Sequence, residues 1–363
     1  MLIRDVLKIN KELIDPQKHK DDLFHHFSLP AFDNNKTPEI QYGANILSSK
    51  FKLTRPCILF NKLNVRFKRI WNILATNNND ICSSEFLPLY VYNDLFLQNY
   101  MYYLLLSDEV NNKLILDVNG TSSSHQRIDP NTLLNMEIQP KDIAEQQHIV
   151  NILGTIDDKI ENNEKKITKI KELMAHLYEN ISLNKDCVKI GDLTCEIKER
   201  LDDRTAKAYS VINSGELVEQ DSYFDRQIHS KDMYKYKVIR KYDFAYNPSR
   251  INIGSVAMFE HDFGAVSPIY IAFSCNKKYS YYINEFIKTQ QFNKEICLRA
   301  NGSVRQSVNY DVFVEIQIPL PDENELTKYN NEYAILQENI ASLKNENTKL
   351  NDLKNLYLKK FFG

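Results

Sequence analysis

The chain contains one structural unit written twice, because motifs from its first half return in the same order in its second half. The segment VNGTSSSHQRID at 118–129 resembles ANGSVRQSVNYD at 300–311. Three further pairs of segments keep this order: HFSLP and AYSVI, ILFNKLN and FAYNPSRIN, and ICSSEF and AVSPIY. Within them Asn61 matches Asn247. Since motifs that recur at a fixed spacing indicate repeated structural units, the sequence predicts a tandem duplication.

A long helix with a heptad pattern ends each copy, from about Asp142 to Ile181 and from about Glu323 to Phe361. In both segments apolar residues recur at alternating steps of four and three, which is typical of the buried line of a coiled coil. The polar exceptions are Asn163 in the first line and Asn347 and Lys354 in the second. The first line is Ile149, Leu153, Ile156, Ile160, Asn163, Ile167, Ile170, Met174, Leu177 and Ile181. The second line is Tyr329, Tyr333, Leu336, Ile340, Leu343, Asn347, Leu350, Lys354 and Tyr357.

The residues ahead of each helix predict a mixed α/β domain. Short runs rich in β-branched and aromatic residues, such as FLPLYVY, KVIRKYDFAYN and IYIAFSC, are separated by Asn, Pro and Gly clusters. We therefore predict an α+β fold in which a globular domain and a long helix alternate twice. The predicted segments are 1–141 and 186–322 for the globular domains, and 142–185 and 323–363 for the helices.

The composition narrows the class of protein. The formal net charge of −2 argues against a protein that binds polyanions over its whole surface, although a DNA reader needs positive charge on only one face. The six cysteines form no C-x-x-C motif and have no histidines at zinc-finger spacing, which predicts reduced thiols in a cytoplasmic protein without a metal site. No apolar run approaches the roughly 20 residues of a membrane helix, and the N-terminus has no signal-peptide core.

No catalytic motif is recognisable. Nothing fits the Gly-rich loops that bind phosphates or dinucleotides. The segment YNPS at 246–249 lacks the second proline and the aromatic residue of the amino-methyltransferase motif N/D-P-P-Y/F. His25 and His26 are adjacent, so on a strand they face apart, and we interpret them as surface residues. We expect no catalytic residue, no metal ligand and no cofactor bound by this chain.

Polar loops lie at matching places in the two copies. The first copy has NKLNVRFKRIW at 61–71, in which basic residues alternate with Phe67 and Trp71, and the second has PSRIN at 248–252. Cations suit phosphates, and Arg, Asn and Gln suit base edges. The alternative for each loop alone is a solvated surface, but the recurrence favours shared DNA binding. The candidates are Lys62, Arg66, Lys68, Arg69, Ser122, Ser123, Gln126, Arg127, Arg250, Asn252, Ser303, Arg305 and Gln306.

The junction between the first domain and its helix resembles the central helix of the specificity subunits of type I restriction–modification systems. That family shows a proline, an E-Q-x-x-I start and an L-x-x-x-D element. The matching residues are Pro140, Glu145, Gln146, Ile149, Leu153 and Asp157. The second junction departs from the pattern, because Glu325 and Leu326 replace the Glu-Gln pair and no L-x-x-x-D element follows.

The resemblance implies a fold and a set of partners. Each globular domain is expected to be a target-recognition domain that reads one half of a split site in double-stranded DNA. The two helices are expected to form an antiparallel coiled coil that separates the domains. Two methyltransferase subunits, and in some systems translocase–nuclease (restriction) subunits, are expected to join the chain, with S-adenosylmethionine held by the methyltransferase. At 1.5 Å per residue the line from Ile149 to Ile181 is roughly 50 Å long, more than one DNA turn of roughly 35 Å.

Two asparagines predict the register of the helix pair. In an antiparallel pair, aligning Asn163 with Asn347 leaves one poor layer, Ile156 with Lys354, where Leu353 is expected to substitute. A slip of one heptad leaves each amide unpaired, at roughly 1–3 kcal/mol each. The alternative is that both asparagines occupy a solvent-accessible gap. The other layers join Ile149 with Phe361, Leu153 with Tyr357, Ile160 with Leu350, Ile167 with Leu343, Ile170 with Ile340, Met174 with Leu336, Leu177 with Tyr333 and Ile181 with Tyr329.

Two other classes of function remain open on the sequence. A structural or protein-interaction module with a coiled coil fits the near-neutral charge, but the duplicated basic loops oppose it. An enzyme with an unrecognised site needs a constellation of catalytic residues that the sequence does not offer. DNA binding in the presence of partner subunits discriminates between these alternatives and a specificity subunit.

Overall fold

A computed structural model describes residues 1–34, 36–116, 127–212, 214–223, 233–300 and 307–363 of the chain. These residues form two compact units. The first unit contains residues 1–163 and 345–363, and the second contains residues 164–344. Each unit therefore combines one globular part with a stretch of both long helices. The division of the chain into two globular domains and two helical segments, as given in the sequence analysis, remains a prediction.

The first unit has two sheets and a set of helices. Its strands are β1 (Leu7–Ile9), β2 (Leu13–Ile14), β3 (Leu23–Phe27), β4 (Glu39–Tyr42), β5 (Lys50–Lys52), β6 (Cys57–Asn61), β7 (Ile70–Ile73), β8 (Asp80–Cys82) and β9 (Phe86–Val91). Its helices are α1 (Leu29–Asp33), α2 (Gln98–Leu106), α3 (Asp108–Leu116), α4 (Pro130–Leu134) and the first part of α5 (Ile143–Ser182). The strand orders are β1-β9-β6-β7, which is antiparallel, and β2-β5-β8-β3-β4, in which β3 and β8 are parallel.

The second unit repeats this arrangement. Its strands are β10 (Cys187–Lys189), β11 (Thr194–Glu196), β12 (Ala208–Ile212), β13 (Glu216–Glu219), β14 (Lys237–Arg240), β15 (Phe244–Tyr246), β16 (Val256–Met258), β17 (Phe263–Val266), β18 (Ile271–Cys275) and β19 (Gln317–Pro319). Its helices are α6 (Gln220–Tyr223), α7 (Lys277–Phe286), α8 (Gln290–Ala300), α9 (Tyr310–Phe313) and part of α10 (Glu323–Phe362). The main strand orders are β11-β18-β15-β16 and β14-β17-β12-β13, with β12 and β17 parallel.

Strand order and register confirm the predicted duplication and the α+β fold. The order β1-β9-β6-β7 corresponds to β11-β18-β15-β16, strand for strand. In the other sheet, the parallel pair places Phe27 opposite Cys82 in the first unit. The parallel pair of the second unit places Tyr209 opposite Val266. Both pairs are formed by the segments whose sequences match.

The central strand of each unit separates two parts of the core. Successive side chains of a strand point to opposite faces. On β6, Ile58 and Phe60 join the cluster that contains helix residues, and Leu59 joins the cluster between the two sheets. On β15, Phe244 and Tyr246 join the helix-side cluster and Ala245 joins the other. Because both faces are covered, β6 is a continuous run of buried residues rather than an alternating one.

An aspartate precedes each long helix and caps it. The Asp142 carboxylate accepts a hydrogen bond of 2.7 Å from the backbone N–H of Glu145 at the start of α5. The Asp322 carboxylate accepts from the N–H groups of Asn324 and Glu325 at 2.9 and 3.0 Å. The Glu325 carboxylate in turn accepts from the Asp322 N–H at 3.1 Å, which completes a capping box. These caps explain why the helices begin just after the two aspartates.

His26 is not the surface residue that the sequence suggested. On β3 its side chain is only 12% exposed. Burial, together with the nearby Lys50 ammonium, lowers the pKa of His26 to about 4. His25 faces the other way, half-buried, with Nδ1 2.8 Å from Oδ1 of Asp80. Facing apart was the correct part of the interpretation, and the error was to expect that both faces of β3 are open to solvent, since the face that carries His26 is buried.

We predict that the first unit loses stability in acid because of His26. The unfolded chain binds the proton near pH 6.5 and the folded chain only near 4, so stability falls as the pH drops through this interval. Between pH 7 and 4.5 the loss is expected to be about 2 kcal/mol. Urea unfolding, followed through the fluorescence of Trp71, measures it. His26→Gln should remove this part of the pH dependence, and His19→Gln, at an exposed position, should not.

Candidate nucleic-acid interface

The hairpin between β6 and β7 carries the basic–aromatic cluster of the first copy. We call residues 62–69 the first hairpin loop. The loop starts with a turn in which Asn61 Oδ1 accepts a hydrogen bond of 2.9 Å from the N–H of Leu63. Asn64 has φ of 52°, in the left-handed region that asparagine tolerates, and its carbonyl accepts from the Phe67 N–H at 3.1 Å. The loop is therefore a defined turn with Arg66 and Phe67 at its tip.

The hairpin between β15 and β16 is its counterpart. We call residues 247–255 the second hairpin loop. It starts with the same turn, since Asn247 Oδ1 accepts from the Ser249 N–H at 3.0 Å. Arg250 is exposed and precedes a short 3-10 helix, Ile251–Ile253. Gly254 ends this helix with φ of 90°, which favours glycine.

The segment just before α4 passes beside the first hairpin loop, and the segment just before α9 passes beside the second; we call these two segments the returning chain. The Lys62 carbonyl accepts a hydrogen bond of 3.0 Å from the N–H of Ile128, and the Pro248 carbonyl accepts one of 3.0 Å from Val308. Arg127 thereby lies next to the first hairpin loop, through its bridge to Leu63. The remaining candidates of these segments lie outside the described residues: Ser122, Ser123, Gln126, Ser303, Arg305 and Gln306.

Three of the basic side chains predicted to bind DNA form ion pairs with carboxylates of the chain itself. Lys68 donates to Asp108 at 2.6 Å and to the Leu106 carbonyl at 3.0 Å. Arg69 binds both carboxylate oxygens of Asp33 at 2.7 and 2.8 Å. Arg127 binds both oxygens of Glu85 at 3.1 and 2.8 Å.

These ion pairs fix side-chain positions and reduce the local positive charge. The pKa of Glu85 is lowered, mainly because Arg127 donates to its carboxylate. Among the other candidates, Arg66 and Arg250 are exposed, whereas Lys62 and Asn252 are half-buried. The exposed positive charge of the two loops therefore lies on their arginines.

The two aromatic residues of the first cluster have different environments. Phe67 is 41% exposed at the loop tip. Trp71 lies on β7 and is buried, with its ring 4.8 Å from that of Phe27 in an edge-to-face contact. Trp71 therefore belongs to the core between the two sheets. The alternation of basic and aromatic residues in the sequence did not distinguish the exposed ring of Phe67 from the buried ring of Trp71.

Gln146 of the E-Q-x-x-I element joins α5 to the segment ahead of α2. Its side chain is 0% exposed. Nε2 donates to the carbonyl groups of Leu95 and Lys141 at 2.8 and 2.9 Å, and Oε1 accepts from the Leu97 N–H at 2.9 Å. Leu326, at the matching position of α10, is also buried but offers none of these hydrogen bonds.

Asp157 of the L-x-x-x-D element connects three helices of the first unit. Its carboxylate accepts from the Tyr103 hydroxyl on α2 at 2.9 Å and from the Lys354 ammonium on α10 at 2.6 Å. The ammonium also lies 5.6 Å from the centre of the Tyr103 ring. This corrects the expectation for the poor layer: Lys354 itself points inward, and Leu353 is exposed. Sequence reasoning missed Tyr103 because heptad spacing says nothing about the globular part.

Asn163 and Asn347 are both buried within the first unit, at 0% and 6% exposure. Asn163 Nδ2 donates to Asn347 Oδ1 at 2.9 Å, and also to Glu346 Oε2 at 2.8 Å. The two asparagines thus share one layer of an antiparallel helix pair, as the predicted alignment requires.

Within the described ranges, no group of three His, Cys, Asp or Glu side chains is placed to hold a metal ion. None of the described helices is long and apolar enough to cross a membrane.

No protein-family model and no curated protein matches the sequence. Solved structures do resemble the chain. The S subunit of a type I restriction–modification system from M. genitalium is 16% identical, with a TM-score of 0.54 over 100% of this chain and 95% of that chain. The HsdS subunit from Thermoanaerobacter tengcongensis is 16% identical, with a TM-score of 0.42 over 100% and 95%.

A further structure, described as the basis of complex assembly and conformational transition of the type I R-M system, has 15% identity and a TM-score of 0.45 over 100% and 96%. The M. genitalium likeness extends over the whole chain, in the fold that the matching strand orders and the two long helices define. The chain therefore has the fold of a type I restriction–modification specificity subunit.

Proposed function

We propose that the chain is the DNA-specificity subunit of a type I restriction–modification complex. In this proposal each globular domain reads one half of a split site in double-stranded DNA. The long helices recruit two methyltransferase subunits, and restriction subunits join in complexes that also cut DNA. The chain itself has no catalytic role, and S-adenosylmethionine is bound by the methyltransferase.

The matching hairpin loops carry this proposal. Both follow the central strand of their sheet, both begin with an asparagine turn, and both accept a hydrogen bond from the returning chain. Each presents an exposed arginine, Arg66 in one and Arg250 in the other. A structural module without DNA specificity gives no reason for two copies of an exposed basic loop, whereas a split site needs one reader for each half.

We expect the chain to give sequence specificity to methyltransferase subunits. The complex with the methyltransferase of the same organism is incubated with a library of randomised duplexes and labelled S-adenosylmethionine, and the methylated molecules are sequenced. The expected result is a motif of two short elements separated by an unread spacer. The methyltransferase without the chain should show no such motif, and the chain alone should transfer no methyl group. Methylation by the chain alone, or a complex that enriches no motif, contradicts the proposal.

A further inference from the structure

We propose that Phe67 and Ile253 are the residues through which the two hairpin loops make apolar contact with base edges, one in each half-site. This inference rests on the proposed function and assigns its specificity to two side chains.

Phe67 is held in place from below although its ring is exposed. The Arg69 guanidinium lies 4.9 Å from the centre of the ring. That guanidinium is itself fixed by two hydrogen bonds, of 2.7 and 2.8 Å, to Asp33 on α1. A ring supported on one face by a fixed cation loses little conformational entropy when its other face meets a ligand. Arg69 is therefore a positioning residue for Phe67.

Ile253 reaches a similar exposed position by another route. Ile251 is 1% exposed and anchors the 3-10 helix in the core of the second unit. Ile253, two residues later, is 53% exposed. Its N–H donates to the Arg250 carbonyl at 3.1 Å, and the Ser255 N–H donates to the same carbonyl at 3.2 Å. These bonds close the loop around the exposed side chain, so Ile253 stands on a rigid turn.

The strongest support for this inference is that the same combination of an exposed apolar residue and an exposed arginine occurs in both hairpin loops. A single exposed apolar side chain is ordinary on a protein surface. Here both loops, at the same place in a duplicated fold, present one large apolar side chain beside one exposed arginine. The apolar residues differ, phenylalanine in one loop and isoleucine in the other, as expected if each copy reads a different sequence. Apolar side chains read base edges through the thymine methyl group, and an exposed arginine beside them offers positive charge to a phosphate or a bidentate pair to guanine.

The test is a comparison of alanine variants in the methyltransferase complex. Phe67→Ala and Ile253→Ala are each assayed with the library of randomised duplexes. Leu74→Ala and Ile269→Ala are the matched controls, because both remove an exposed apolar side chain from the same two units, outside the hairpin loops. Circular dichroism and urea unfolding check that all four variants fold like the original chain.

We expect Phe67→Ala to reduce discrimination roughly tenfold at one or two adjacent base pairs of one half-site, with the other half unchanged. Ile253→Ala should do the same in the other half-site, and the controls should leave the motif unchanged. Arg66→Ala and Arg250→Ala should weaken DNA binding and reduce its salt dependence, measured by titrating labelled duplex at several salt concentrations. An unchanged motif in folded Phe67→Ala and Ile253→Ala complexes, or equal losses in both half-sites, overturns the inference. A complex of the original chain that selects no motif overturns the proposed function instead.

Discussion

Replacing Gln146 by leucine should lower the free energy of unfolding of the first unit by about 3 kcal/mol. The variant places an apolar side chain of similar size at the same buried position, so the loss comes from hydrogen bonds. It leaves the Leu97 N–H and the carbonyls of Leu95 and Lys141 without the amide that binds them. Water cannot easily replace that amide, because Gln146 is fully buried.

The second copy has a leucine at the matching position, and its local structure gives the reason why we expect leucine to fit there and to destabilise the first unit. Leu326 occupies the position of Gln146 on α10 and is buried. In that unit α7 follows Asn276, whose side chain accepts a hydrogen bond of 3.1 Å from the Lys278 N–H. By contrast α2 follows Leu97, which has no capping side chain. The Gln146 amide on α5 therefore binds backbone groups at the start of α2 that no capping side chain at Leu97 binds.

Urea unfolding followed by fluorescence measures this effect, since Trp71 is the one tryptophan of the sequence and lies in the first unit. Gln147→Leu is the matched control, because Gln147 is the exposed neighbour on the same helix. The control should change stability by less than about 0.5 kcal/mol. Equal midpoints for the two variants contradict the assigned role of Gln146.

The sequence predicted the duplicated α+β architecture because repetition and hydrophobic periodicity do not depend on long-range contacts. The helices begin at Ile143 and Glu323, within one residue of the starts predicted from the sequence. Strands β9, β14, β15 and β18 fall in the apolar runs that were read as strands. These features depend on neighbours a few residues away, and the pattern of side chains reports them directly.

Contacts between distant segments were not predictable in the same way. Leu358 and Phe362 of α10 are buried against the globular part of the first unit, with Phe362 packed 5.4 Å from the ring of Tyr100. Tyr178 of α5 packs in the same manner, 4.8 Å from Tyr282. A heptad pattern identifies the residues that face the other helix, and these three lie beside that line, where burial depends on a partner from elsewhere in the chain.

The candidate interface shows the same limit. Basic residues in a loop suggested phosphate contacts, but Lys68 and Arg69 meet carboxylates of α3 and α1 that lie far away in the sequence. Residue type predicts which interactions a side chain can make. Whether a basic side chain pairs with a carboxylate of the same protein or is left exposed to bind DNA depends on the fold.

Replacing Asn163 alone by leucine should lower the free energy of unfolding of the first unit by about 2–3 kcal/mol. The Asn347 amide, 6% exposed, then faces an apolar side chain and loses its hydrogen bond to Asn163. The reverse single variant, Asn347→Ile, leaves the Asn163 amide short of one acceptor and should be destabilising for the same reason.

The duplication supplies the design of the double variant. The two long helices are equal in length and begin 180 residues apart, at Ile143 and Glu323. Asn163 therefore corresponds to Leu343 and Asn347 to Ile167. The variant Asn163→Leu with Asn347→Ile turns the polar layer into a copy of the apolar layer that Leu343 and Ile167 are predicted to form.

We expect this double variant to be at least as stable as the original chain, because it removes a pair of buried amides that is incompletely satisfied. Asn163 Oδ1 is buried and has no hydrogen-bond partner among the described residues. Because each single variant is expected to lose about 2–3 kcal/mol and the double variant nothing, a double-mutant cycle from unfolding curves should give a coupling energy of about 4 kcal/mol or more between the two positions. Additive losses contradict the paired layer and favour two asparagines that merely tolerate a solvent-accessible gap. If the double variant is at least as stable as the original chain, the polar layer adds no net stability, and the physical reason for keeping it is that only one alignment of the helices satisfies both amides.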